Sequence, residues 1–180
     1  MSENKVAEAE PYLQEAVKLD PLFVDALDHL GIVYRRQEKY EEAEKIYLQS
    51  LALNDKNAVS YINLALVYRN LNRWEDALKM YIKLNELDPE DPEAYYGIGE
   101  LLQMAGDYEA SKEFFYEAIK KYIAVESDLV YDALYCQGIN HYELGEYEDA
   151  LECFGYAEEA YPEDENLLEL IRETEKMVKK

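Results

Sequence analysis

Residues 58–91, AVSYINLALVYRNLNRWEDALKMYIKLNELDPED, decide the fold. Tyr61, Leu64, Ala65 and Tyr68 follow the i, i+3, i+4, i+7 spacing that lays one apolar stripe along a helix. Asn70-Leu71-Asn72 interrupts the pattern. Trp74, Ala77, Leu78, Tyr81 and Leu84 then form a second stripe. Asp88-Pro89 ends it, because proline disfavours a helical conformation in the residue before it. The stretch therefore reads as two helices joined by a tight turn.

The same pattern recurs along the chain at a lag of 34 residues. Ala9 meets Ala43, Ala77 and Ser111. Pro21 meets Asp55 and Pro89, Leu30 meets Leu64 and Ile98, and Tyr34 meets Tyr68 and Leu102. Tyr40 meets Trp74 and Tyr108, and Tyr47 meets Tyr81 and Phe115. The next step takes 39 residues, from Gly99 to Gly138, Tyr108 to Tyr147 and Phe115 to Phe154. A five-residue insertion is thus expected near 124–130. Small residues recur where paired helices must approach closely: Gly31, Ala65, Gly99 and Gly138 in first helices, and Ala43, Ala77, Ser111 and Ala150 in second ones. A fixed period of this length signals hairpins that bury their apolar faces only by stacking.

These residues resemble the tetratricopeptide repeat, whose unit carries an aromatic, Leu-Gly, Tyr, then Ala, Phe, Ala and Pro at fixed positions. The best copy reads Tyr61, Leu64-Ala65, Tyr68, Ala77, Tyr81, Leu84, Pro89. The last reads Leu134, Gln137-Gly138, His141, Gly145, Tyr147, Ala150, Phe154, Ala157, Pro162. The resemblance implies an all-α fold, a right-handed superhelical solenoid of antiparallel helix pairs. One domain, 1–180, is expected, with a half repeat at 5–23, repeats at 24–57, 58–91, 92–125 and 131–164, and a capping helix at 165–180. That last segment sets Leu167, Leu168, Ile171 and Met177 against a polar outer side, as terminal repeats need. The N-terminal half repeat has no first helix to pair with. Its edge, with Val6, Leu13 and Val17, leaves three readings open: truncated upstream repeats, self-association, or simple packing on the next repeat.

Composition bounds the function. Forty acidic side chains face 18 basic ones, for a net charge of −22. Nucleic acid and anionic membrane surfaces are poor partners for such a chain, whereas a basic protein segment would be drawn to it. No apolar run approaches a membrane span, and the first residues carry no hydrophobic signal core. The default location is cytoplasmic, although a mature chain cut from a signal peptide would read the same way. Cys136 and Cys153 are too few for a disulfide framework. His29 and His141 are too far apart in sequence to suggest a metal site, and His141 stands at a tyrosine packing position. No cofactor and no metal are expected, and no enzyme.

The resemblance also implies where a partner would lie, because first helices line the inner surface of such arrays. The family's ligand-facing positions fall on Asp25, Asp28, His29, Ile32, Arg35 and Arg36 in one unit. They fall on Val59, Ile62, Asn63, Leu66, Arg69 and Asn70 in the next, on Glu93, Tyr96, Gly97, Glu100, Gln103 and Met104 in the third, and on Asp132, Tyr135, Cys136, Ile139, Tyr142 and Glu143 in the last. Helix geometry supports this in part: Val59, Ile62 and Leu66 lie opposite Tyr61, Leu64 and Tyr68, so that helix is apolar on two sides. Asn63 can donate to and accept from a peptide backbone. Arg35, Arg69 and Asn70 are further polar candidates, and Tyr96, Tyr135 and Tyr142 are candidate aromatic anchors. The clamp by which some family members grip a chaperone's C-terminal carboxylate is not supported. Its positions hold Asp28, Ile32, Asn63, Glu93 and Gly97, of which only the asparagine fits. The expected function is a non-catalytic scaffold or adaptor holding an extended peptide or helix in the concave groove. The alternative is an architectural or self-associating segment engaged through its helix edges.

Overall fold

A computed structural model describes residues 3–179, with side chains from Glu8 onward. The chain divides into two compact units, Met1–Pro89 and Glu90–Lys180. The first holds α1 (Glu3–Leu19), α2 (Val24–Arg36), α3 (Tyr40–Leu53), α4 (Ala58–Asn70) and α5 (Trp74–Leu87). The second holds α6 (Pro92–Met104), α7 (Tyr108–Ala124), α8 (Val130–Glu143), α9 (Tyr147–Ala160) and α10 (Glu165–Val178). All regular structure among the described residues is helical.

The turn inside each pair follows one recipe. A single residue takes a positive φ: Glu38 (59°), Asn72 (58°), Gly106 (79°) and Gly145 (78°). The next residue's N–H then reaches back across the helix end: Lys39 to Tyr34 O, Arg73 to Tyr68 O, Asp107 to Leu102 O and Glu146 to His141 O, at 2.8–3.0 Å. This closing bond satisfies carbonyls that a helix end would otherwise leave unpaired. Glycine holds the left-handed position freely at 106 and 145, while Glu38 and Asn72 adopt it at a small steric cost.

Aromatic rings fill the space between paired helices. Tyr47, Phe115 and Phe154 are fully buried, and Tyr68, Ala77 and Tyr81 are at most 5% exposed. The small residues opposite are there for contact: a Cβ on Gly31 would stand 2.5 Å from the Tyr47 ring, and one on Gly138 2.4 Å from Phe154. Trp74 departs from the expected stripe. As the first residue of α5 it has no preceding helical turn over it, and it remains 40% exposed. The insertion near 124–130 is shared between helix and loop. α7 runs 17 residues where α3, α5 and α9 run 14. At the N-terminus, Leu13 and Val17 are half-buried on α1, whereas Val6 lies outside the described side chains.

Candidate partner-binding faces

In the first unit the candidate face is built on α4. Val59, Ile62, Asn63 and Leu66 share one side by their spacing. Val59 is 45% exposed, and the other three are half-buried. Asn63 Nδ2 donates to Val59 O at 2.8 Å. Asn70 is more committed: its Nδ2 donates to Leu66 O at 2.8 Å, and its Oδ1 accepts from Tyr40 Oη at 3.2 Å. Arg69 is half-buried one residue before it. On α2, Arg35 lies beside Tyr47 with its Nε buried and without a hydrogen-bond acceptor. Burial holds the Tyr47 phenol far above its ordinary range, with the Arg35 guanidinium acting in the opposite direction.

Two ligand-facing positions need correcting: Gly97 is buried on α6, and so is Asp28 on α2. The Asp28 side chain is not presented to a groove. Its Oδ1 accepts from Ser50 Oγ (2.8 Å) and Ser60 Oγ (2.7 Å), and its Oδ2 from Asn57 Nδ2 (2.7 Å). A carboxylate can be held inside only when its lone pairs are filled in this way. A signal for the cluster existed in the sequence. Asp28, Ser50 and Ser60 stand at positions that hold Ile62, Leu84 and Ala94 one period later.

The second unit uses its tyrosines differently from one another. Tyr96 packs edge-on to Phe115 (5.5 Å between centroids) and Tyr122 (6.2 Å), and its hydroxyl meets Cys136 Sγ at 3.8 Å. Burial, then the neighbouring Cys136, pushes its phenol far up. Tyr142 stands edge-on to Tyr147 at 5.7 Å. Tyr135 tilts against Phe154 at 6.2 Å and borders a cavity of about 300 Å³ with Asp132, Tyr161, Asp164, Asn166 and Leu167. A buried amide network runs behind these rings. Gln103 Nε2 donates to Asn140 Oδ1 (2.7 Å) and Cys136 O (2.9 Å). Asn140 Nδ2 donates to Ser111 Oγ (2.9 Å), and Ser111 Oγ to Gly99 O (2.8 Å). Gln103, a ligand-facing position by resemblance, is thus spent on holding α6 to α8.

His141, Glu146 and Asp149 bring potential ligand atoms within 4.8 Å of one another, a grouping that sequence spacing did not suggest. Lys112 already supplies the positive charge there, donating to both Glu146 oxygens at 2.8 and 2.9 Å, while His141 Nδ1 lies 2.5 Å from Glu146 Oε2. Both hydrogen bonds hold the Glu146 carboxyl below its ordinary range, the lysine's foremost. Cys153 is a half-buried free thiol whose pKa burial pushes up to about 11, so little thiolate forms at neutral pH. No helix among the described residues is long and apolar enough to cross a membrane.

A helical-hairpin period, left-handed turn residues in register and aromatic plugs against small residues define a repeat scaffold for protein–protein interaction. Residues 23–90, 62–125 and 131–164 each match a tetratricopeptide repeat model, and the chain belongs to that family. A tetratricopeptide repeat protein from Parabacteroides merdae is 28% identical over 97% of this chain and 68% of its own, with a TM-score of 0.77. YrrB, a tetratricopeptide protein with an unusual peptide-binding site, is 24% identical over 92% of this chain and 83% of its own, at 0.69. The Pseudomonas aeruginosa protein pilF is 19% identical over 95% and 80%, at 0.82. No curated protein matches the chain in sequence. Proteins of this family are typically non-catalytic scaffolds.

Proposed function

We propose that this chain is a cytoplasmic, non-catalytic adaptor that holds an extended peptide or helix of a partner against its first helices, with 1–180 acting as one functional domain. The observation that carries the reading is the α4 face. Val59, Ile62 and Leu66 offer apolar surface beyond what the core needs, and Asn63 stands among them with an amide able to pair with a backbone. Arg35, Arg69 and Asn70 supply polar contacts around that surface, and Tyr96, Tyr135 and Tyr142 supply rigid rings in the second unit. The solved peptide-binding relative YrrB supports a peptide as the kind of ligand.

The test is a paired one. Partners captured from the native host by the wild-type chain are titrated against Asn63→Ala plus Arg69→Ala. Circular dichroism and amide exchange check the fold. A loss of at least about ten-fold in affinity is expected, the sum of two ordinary interface contacts. Full affinity in the double variant counts against the α4 face. A second reading, self-association through the N-terminal edge, is favoured by Tyr12 and Leu19, each 77% exposed, and by an apolar cavity of about 330 Å³ between α1 and α2. Light scattering that shows a monomer at millimolar concentration removes it.

A further inference from the structure

The second unit contains a stretch that the balance of charges sets apart. From Tyr122 to Ile171 there is no lysine and no arginine, while fourteen residues are Asp or Glu. Within it lies the cavity of about 300 Å³ bordered by Asp132, Tyr135, Tyr161, Asp164, Asn166 and Leu167. That size is at the lower end of ligand pockets, about 300–1,000 Å³, and suits one side chain better than a cofactor. Its floor is apolar, with Leu167 1% exposed. Its walls are two tyrosines and two carboxylates.

Each carboxylate is fixed by one oxygen and has a second to offer. Asp132 Oδ1 accepts from Tyr161 Oη at 2.8 Å. Asp164 Oδ1 accepts from Leu167 N at 2.9 Å as the N-cap of α10. Asp164 also acts on Tyr135: after burial, its charge is the next cause holding that phenol above its ordinary range. The α10 N-terminus brings roughly half a positive charge of its own. Asp164 caps that end, and Asp132, Glu163 and Glu165 around it leave the pocket electronegative. Aromatic faces and carboxylates around an apolar floor suit a group with a hydrocarbon stem and a cationic head.

We infer that this pocket receives the cationic side chain of a lysine or arginine in a basic partner segment. The inference rests on the reading of the chain as a peptide-holding scaffold and names the chemistry of one anchor. It also gives Tyr161 and Asp164 a role that the resemblance did not assign.

The experiment uses the isotope-labelled full chain and three pentapeptides, acetylated and amidated Gly-Gly-X-Gly-Gly with X as lysine, arginine or norleucine, followed by amide chemical shifts. The lysine or arginine peptide, or both, should shift amides around 132, 135, 161 and 164–167, and the norleucine peptide should not. Asp132→Asn plus Asp164→Asn should weaken the response at least about five-fold, because asparagine still accepts the local hydrogen bonds and caps the helix but carries no charge. Tyr161→Leu should weaken it about two- to five-fold. Glu148→Gln plus Glu152→Gln, on exposed positions of α9, should leave it unchanged. A norleucine response equal to lysine's, shifts spread evenly over the acidic surface, or an equal loss in the α9 control would each overturn the pocket. Asn63→Ala plus Arg69→Ala leaves the lysine-peptide response intact in this account, so failure of the pocket and failure of the α4 face are separate results.

Discussion

The two units solve one packing problem with different polar chemistry. Between α2, α3 and α4, a carboxylate sits inside, its oxygens filled by two serine hydroxyls and an asparagine amide. Between α6, α7 and α8, the buried polar group is neutral. Asn140 links Gln103 to Ser111, and both neighbours have a further bond: Gln103 also donates to Cys136 O, and Ser111 donates to Gly99 O. The first arrangement converges on one residue, while the second is a chain with spare partners. Tolerance to substitution should therefore differ sharply although the repeats are equivalent. Asp28→Ala strips an acceptor from three buried donors at about 1–3 kcal/mol for each one left unpaired. Partial re-pairing between Asn57 and the two serines leaves about 2–4 kcal/mol net. Asn140→Leu restores the residue type found at the equivalent positions Leu101 and Val67, and its neighbours keep their other bonds. It should cost only about 1 kcal/mol. Urea unfolding of both variants reads the difference, and equal losses would dissolve the contrast.

Backbone approach sets the α2–α3 pair against the α6–α7 pair, while Gly138 between α8 and α9 is as tight as Gly31. In the first, an added Cβ on Gly31 would meet the fully buried Tyr47 ring at 2.5 Å. In the second, one on Gly99 would meet Phe115 at 3.2 Å. Alanine in a helix gains about 1 kcal/mol over glycine, and overpacking a filled core costs about 1–3 kcal/mol. The 2.5 Å contact puts Gly31→Ala in the upper part of that cost range, so it should be destabilising by about 1–2 kcal/mol net, with Gly99→Ala within about 0.5 kcal/mol of wild type. Thermal melts of the two variants side by side decide it. A neutral Gly31→Ala would mean that the Tyr47 ring can shift.

These contrasts mark where sequence reading works and where it stops. The hairpin unit is legible because burial acts on every period alike: Tyr47, Tyr81, Phe115 and Phe154 fall at one repeat position, and Gly31, Ala65, Gly99 and Gly138 at another. The left-handed turn is legible at Gly106 and Gly145 but silent at Glu38, where tertiary closure overrides residue preference. Asp28 misled the reading because the resemblance carried a ligand-facing position of the family onto it. Only Ser50, Asn57 and Ser60, brought in from two other segments, make it an inside residue. The cavity at Tyr135 has the same origin. Asp132 comes from α8 while Tyr161, Asp164 and Leu167 come from the next turn and the start of α10, so no local spacing announces it. On α4, helical spacing alone announces the proposed face of Val59, Ile62, Asn63 and Leu66, because all four residues belong to one helix.

The smallest effect concerns a second acid, which sharpens the comparison from the other side. Glu93 at the start of α6 is half-buried and accepts from Tyr122 Oη at 2.9 Å, a single hydroxyl where Asp28 has three donors. Burial raises its pKa above the ordinary carboxylate range. The tyrosine bond lowers it, and nearby Asp91 and Glu100 add to the rise. A carboxyl with a raised folded-state pKa binds its proton more tightly folded than unfolded. Its contribution to stability is therefore greatest below the unfolded value, near 4.3, and declines as pH rises through the folded value. Glu93→Gln removes that decline, since an amide oxygen still accepts from Tyr122 and never ionises. The variant should match wild type near pH 4 and melt about 1–2 °C higher at pH 7, the partial exposure of the site keeping the gain small. Melting curves between pH 4 and pH 7 read it directly. A variant less stable than wild type at pH 7 would mean that the Glu93 charge is satisfied as fully as that of Asp28, and the asymmetry between the two acids would fall.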